Sequence, residues 1–171
     1  STRAAAALFA MEHGLLLPTL AAVEQTNARQ KALLARRLIE WFGGSLAGRR
    51  IALWGLAFKP GTDDLRDAPS ETIIAALVGA GACVVAHDPV AMPAAQRRHG
   101  HLAALQFAVD PLEAIEQADA LVIATEWPQY AGMDWAQVRQ RMAQPFVLDG
   151  RNLCDPELMA ELGFRYQGIG R

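Results

Sequence analysis

The sequence predicts an α/β fold: a Rossmann-like parallel sheet with helices on both faces, preceded by an all-helical segment with a long helix. Three observations lead there. From about residue 49 onward, short apolar runs alternate with helical patterns, as repeated βαβ units do. One run, Ala120–Thr125 (ALVIAT), has no polar alternation, which suits a strand covered on both faces. Before residue 48 the pattern is helical throughout, and Gly43-Gly44-Ser45-Leu46-Ala47-Gly48 separates the two regions with loop chemistry.

The first region opens with a short helix near Thr2–Glu12, closed by His13-Gly14. A long helix follows, from about Pro18 to Phe42. Pro18 suits the first turn, where its missing N–H costs nothing. That helix would be about 37 Å long. Leu16, Leu20, Val23, Asn27, Gln30, Leu34, Leu38 and Trp41 share one face by steps of three and four. Asn27 and Gln30 interrupt the stripe. Either they turn to a wet edge, or they find partners in a helix that does more than pack a core.

In the second region Arg50–Ala57 (RIALWGLA) reads as a strand, and a helix follows near Ser70–Gly79, with Gly81 for the turn. Cys83–His87 is the next strand, ending in Asp88-Pro89. A short helix covers Ala91–Arg98. Gln106–Val109 is a weak strand and Pro111–Gln117 a short helix. After Ala120–Thr125, Trp135–Met142 is helical, Phe146–Asp149 is a strand, Pro156–Glu161 a helix and Phe164–Gln167 the last strand. The expected organisation is thus a helical portion at 1–48 and a binding domain at 49–171.

The totals exclude several classes. In 171 residues, 52% are hydrophobic and 20% charged, so the chain folds rather than staying disordered. A formal charge of −2 offers no broad basic field for nucleic acid. No apolar run has the length of a membrane span. Cys83 and Cys154 form neither a disulfide framework nor a zinc spacing and fit a reducing cytoplasm. The first residues have no signal-peptide pattern. Ser1 leads straight into a helix, which fits a piece of a longer protein or a Ser left by processing.

Ligands of such sheets sit beyond the carboxyl ends of the strands. Gly55–Arg66, Asp88-Pro89, Thr125-Glu126-Trp127 and Asp149-Gly150-Arg151 would share that rim. The stretch GLAFKPGTDDLRDAPS after the first strand lacks the second and third glycines of a dinucleotide turn. It offers side chains instead. Lys59 and Arg66 are cations near a helix start, Phe58 is an aromatic face, and Asp63, Asp64 and Asp67 cap or orient. This suits a nucleoside diphosphate, and equally a solvated loop with internal ion pairs. Arg151, after Asp149-Gly150, presents a fork for a phosphate or carbonyl, or simply ends a strand. Glu126 and Trp127 would shape the rim, or Trp127 simply packs. The four histidines show no ligand spacing, and no catalytic set or metal site presents itself.

GLAFKPGTDDLRDAPS, AHDPVAM, ATEWPQY, VLDGRNLCDPELMAELGFRYQGIGR and the helical EQTNARQK together resemble the C-terminal part of the UDP-glucose/GDP-mannose dehydrogenase family, over essentially the whole chain. The resemblance implies an enzyme that oxidises the C6 hydroxyl of a nucleotide sugar to a carboxylate with two NAD⁺ per turnover. It implies that Phe58, Lys59 and Arg151 bind the UDP-sugar substrate, that Arg66 reaches NAD across a cleft, and that the 18–42 helix belongs to a central domain that makes a homodimer. The family's catalytic cysteine motif, its NAD glycine loop and the Lys and Asn acting at C6 have no counterpart here. Cys154 falls on a position that is usually aromatic in the family. The expectation is therefore a substrate-nucleotide portion that is inactive alone. DGRN and the terminal IGR favour UDP-glucose, with GDP-mannose, UDP-N-acetylmannosamine and a non-catalytic Rossmann-type binding module as the alternatives.

Overall fold

The structure is a computed structural model that describes residues 18–170 together with His13. The short helix expected near Thr2–Glu12, and Leu16, lie outside the described residues. The long helix, α1, spans Pro18–Trp41. Its buried residues are Leu34, Ala35 and Leu38, so the expected stripe is only half correct. Leu20 and Val23 are half-buried, and no residue from 18 to 30 is buried. The helix packs on the next helix and on β5, and burial is complete only around Leu34–Leu38. Trp41, expected in the stripe, is 40% exposed. Its ring lies under the Arg165 guanidinium, 3.5 Å from the centroid, and beside Phe146 at 5.1 Å. That is a cation–π seat at the edge of the core.

Twelve further elements follow: β1 (Arg50–Trp54), α2 (Pro69–Gly79), β2 (Cys83–His87), α3 (Met92–His99), β3 (Leu105–Phe107), α4 (Pro111–Ile115), β4 (Ala120–Ile123), α5 (Pro128–Ala131), α6 (Trp135–Arg141), β5 (Phe146–Asp149), α7 (Pro156–Glu161) and β6 (Arg165–Gly168). All six strands pair in parallel, in the order β3-β2-β1-β4-β5-β6. Every residue of β4 and β5 is buried, as a strand covered on both faces demands. Helix α1 packs against α2, while α4 packs against β1, β2 and α6.

Local chemistry sets the boundaries. Asp110 and Asp155 each precede a proline and cap a helix, accepting from Leu112 N at 2.7 Å and Glu157 N at 2.9 Å. Asp134 caps α6 in the same way. The first strand ends at Trp54 rather than the expected Ala57, because Gly55 turns the chain at φ +90°. Helix α5 was not expected. Its four residues are too few to show a period. Trp54 anchors the core beneath it. Its Nε1 donates to Pro111 O at 3.1 Å, and its ring stacks on Tyr130 at 4.9 Å and meets Trp135 at 5.9 Å.

A side chain on Gly55 meets two obstacles. The left-handed backbone strains any L residue, and a Cβ would lie 2.5 Å from Thr125 Cβ. Gly43 has positive φ too, but open space around it. Gly55→Ala should lower the unfolding free energy by more than about 2 kcal/mol. Gly43→Ala should cost only about 1 kcal/mol. Urea melts of the two variants check the difference.

Candidate functional site

The strand order reverses between β1 and β4, so the loops leaving them diverge and open a crevice. The loop after β1 is fixed before it reaches that crevice. Leu56 N and Ala57 N both donate to Asp88 Oδ2, at 2.7 and 3.0 Å. Ser70 Oγ donates to Leu56 O at 2.5 Å and Thr125 Oγ1 to Ala57 O at 2.6 Å. Every polar backbone group of those two buried residues is therefore paired. Asp88, buried just beyond β2, also accepts from Trp127 Nε1, Val90 N and Ala91 N.

This network closes the turn to a dinucleotide. The amides that would meet a pyrophosphate in a Rossmann site are held by an internal carboxylate, and Ala57 carries a buried side chain where the second glycine is needed. The residues at this turn do not fit NAD.

The space for a ligand lies further out. A cleft of about 610 Å³ runs between α1 and the rim. Asn27, Gln30 and Leu34 wall it on the helix side. Phe58 and Arg66 wall it from the β1 loop, and Gly150 and Arg151 from the end of β5. Phe58 is 50% exposed, an uncommon state for a large aromatic ring and an available stacking face. Gly150 lets the helix approach, since a Cβ there would lie 2.6 Å from Leu34 Cδ1. Lys31 Nζ stands 3.7 Å from Asp67 Oδ1 and ties the helix to the loop.

Of the four residues singled out in the sequence, the structure brings Phe58, Arg66 and Arg151 to one cleft. Lys59 is exposed beside Phe58 and is not part of the cleft wall. Both guanidiniums are engaged. Arg66 makes a two-pronged pair with Asp64, 2.7 Å at its shortest, inside one loop. The Arg66 hydrogen bonds hold the Asp64 carboxyl down at about 2. Arg151 grips Glu126 through Nε and Nη2, the latter at 2.5 Å, and this bonding lowers the Glu126 pKa. Sequence reasoning found the loop but not the buried role of Asp88, whose signal was an Asp-Pro pair at a strand end. Nor did it find the Arg151–Glu126 pair, which has no local signature. Asp149, fully buried at the end of β5, accepts from Arg151 N, Cys154 N and Tyr166 Oη, all at 2.9–3.0 Å. Cys154 is thus a packing residue held by its backbone. Among the described residues no group of three His, Cys, Asp or Glu side chains is placed to hold a metal.

A parallel sheet in this order, with a cleft at its switch-point rim, defines a nucleotide-binding domain of the doubly wound class. Residues 52–156 match the model of the UDP-glucose/GDP-mannose dehydrogenase family, UDP binding domain, and the chain belongs to that family. A UDP-glucose 6-dehydrogenase of Pseudomonas aeruginosa is 53% identical over 155 residues, covering 89% of this chain and 34% of that protein. One of Rhizobium meliloti is 38% identical over 162 residues, covering 95% of this chain and 36% of its own length. The solved structure of a UDP-glucose dehydrogenase from Pyrobaculum islandicum shares the fold at a TM-score of 0.76 and 32% identity, over 94% of this chain and 34% of that one. The chain spans about a third of the length of these relatives.

His87, beneath the site, supplies a test of the buried network. Tyr130 Oη donates to His87 O at 3.0 Å and stands 2.9 Å from His87 Nδ1. Burial lowers the His87 pKa, against the pull of the Asp88 and Asp110 carboxylates. The unfolded chain therefore takes up that proton more readily. Stability from this group is complete above about pH 6.5 and is lost as the pH falls toward the lower folded value. His87→Gln should flatten the stability profile there by at most about 1.4 kcal/mol per pH unit. Urea melts of both proteins at about pH 7.5 and 5.5 measure it.

Proposed function

We propose that this chain is the nucleotide-binding portion of an NAD-dependent UDP-glucose 6-dehydrogenase. The observation that carries the reading is the cleft itself, where an exposed aromatic ring, Phe58, and an arginine fork, Arg151, meet from distant parts of the sequence. Phe58 packs on the base or sugar and Arg151 donates to the nucleotide. Lys59, one residue beyond Phe58, supplies positive charge to the diphosphate, and its flexible stem gives the ammonium reach. It has no ion pair among the described residues.

Oxidising a C6 alcohol to a carboxylate removes four electrons, which the two NAD⁺ of the reaction accept. The closed turn at Gly55 supports placing the nicotinamide site, and the cysteine that holds the sugar, outside this chain. Arg66, whose side chain is 86% exposed, is the group available to reach a cofactor held mainly by another domain. Residues 1–48 then end a helical central domain, and 49–171 form the UDP-binding domain. The uncovered first half of α1 supports a homodimer through that helix. Among the described residues no helix is long and apolar enough to cross a membrane, and two cysteines that form no disulfide support a cytoplasmic enzyme.

Calorimetric titration with UDP and UDP-glucose should show weak binding, and GDP-mannose weaker still. The opposite preference would assign the chain to a sibling acting on another nucleotide sugar. Lys59→Ala should lower UDP affinity roughly 10- to 150-fold. An unchanged affinity removes Lys59 from the diphosphate. In sedimentation the chain should self-associate, and replacing Leu20 and Val23 by Glu should abolish that. A monomer at every concentration contradicts the helix-mediated pairing.

A further inference from the structure

Arg151 lies in the cleft wall, whereas Glu126 does not. The carboxylate therefore holds the guanidinium from outside the binding space. The grip is side-on, with Nε on Oε2 and Nη2 on Oε1. A guanidinium carries five N–H donors in a rigid plane, so this pair uses two and leaves both hydrogens of Nη1 and one of Nη2. At its other end Arg151 is pinned through its backbone, where N donates to the buried Asp149 Oδ1 at 2.9 Å. Arg66 differs. Its carboxylate partner is two residues away in the same exposed loop and shares the cleft wall with it. The Arg151 pair instead joins the ends of β4 and β5, so its geometry is inherited from the sheet.

We propose that Glu126 is a positioning residue of the UDP site: it converts Arg151 from a mobile cation into a fixed, charge-balanced fork that donates to a neutral acceptor oxygen of the bound nucleotide. The assignment rests on the UDP-binding reading above. It divides the labour in the cleft. Arg151 reads shape by hydrogen-bond direction, and the charge of the diphosphate falls to Lys59.

The test is a double-mutant cycle on the 171-residue chain, with UDP titrated calorimetrically and melting temperatures recorded for every variant. Glu126→Gln keeps the size of the side chain but loosens the grip, and should lower UDP affinity about tenfold. In the Arg151→Ala background the same change should cost nothing further, because there is no fork left to hold. Glu126→Asp retains the charge with a shorter reach and should recover part of the loss. It also carries the test if Glu126→Gln does not fold. Additive losses would make Glu126 merely structural and overturn the assignment. Tighter UDP binding by Glu126→Gln would show a carboxylate that competes with the ligand, and would overturn it as well. A wild-type chain that fails to bind UDP removes the underlying reading. A wild-type chain that binds, with Glu126→Gln unchanged, removes the positioning role alone.

Discussion

One buried carboxylate organises the functional end of this domain. Asp88 accepts five hydrogen bonds, from Leu56 N, Ala57 N, Val90 N, Ala91 N and Trp127 Nε1. An isolated carboxylate in such a place would cost several kcal/mol to desolvate, and only a full shell of donors offsets that. The donors come from the loops after β1, β2 and β4, so three strand ends are held by one group. In a dinucleotide-binding sheet the same two amides at the β1 turn would receive a pyrophosphate. Here the protein supplies its own anion, and the open space lies further out, in the cleft beside α1.

That displacement explains the character of the site. The cleft is walled by side chains instead of bare backbone, so a ligand there would meet groups whose placement depends on rotamers. Several of those walls carry paired charges: Arg66 with Asp64, Arg151 with Glu126, Lys31 with Asp67. Exposed pairs of this kind contribute little to stability. Their use is to hold long side chains in one place. Gly150 completes the arrangement, because the absence of a Cβ lets Leu34 close the helix onto the sheet.

Much of the fold was legible. The bounds of β2, β5 and α7 agree with the sequence reading residue for residue, since each is an uninterrupted apolar run or is framed by Asp-Pro. Where the reading failed, a local signal was overruled or missing. The α1 stripe, interrupted by Asn27 and Gln30, put Leu20, Val23, Leu34, Leu38 and Trp41 on one face, but periodicity does not say how far a helix overlaps its neighbours. The first strand looked three residues too long because LWGLA is apolar throughout, while Gly55 breaks it by conformation alone. In the site, the unusual composition of the β1 loop marked Phe58 and Arg66. Glu126 looked like any rim residue.

The sequence by itself determined the class of fold, the unusual composition of the loop after β1 and the family resemblance, because these depend on periodicity, caps, turns and ordered motifs that are local along the chain. Only the tertiary structure decided which strand ends stand together. The order β3-β2-β1-β4-β5-β6 places β1 beside both β2 and β4, and so brings Asp88 under the amides of Leu56 and Ala57. The neighbouring ends of β4 and β5 bring Glu126 to Arg151. Such pairings join residues far apart in sequence, and no local preference encodes them; they exist because packing a twisted sheet fixes the distance between its loops.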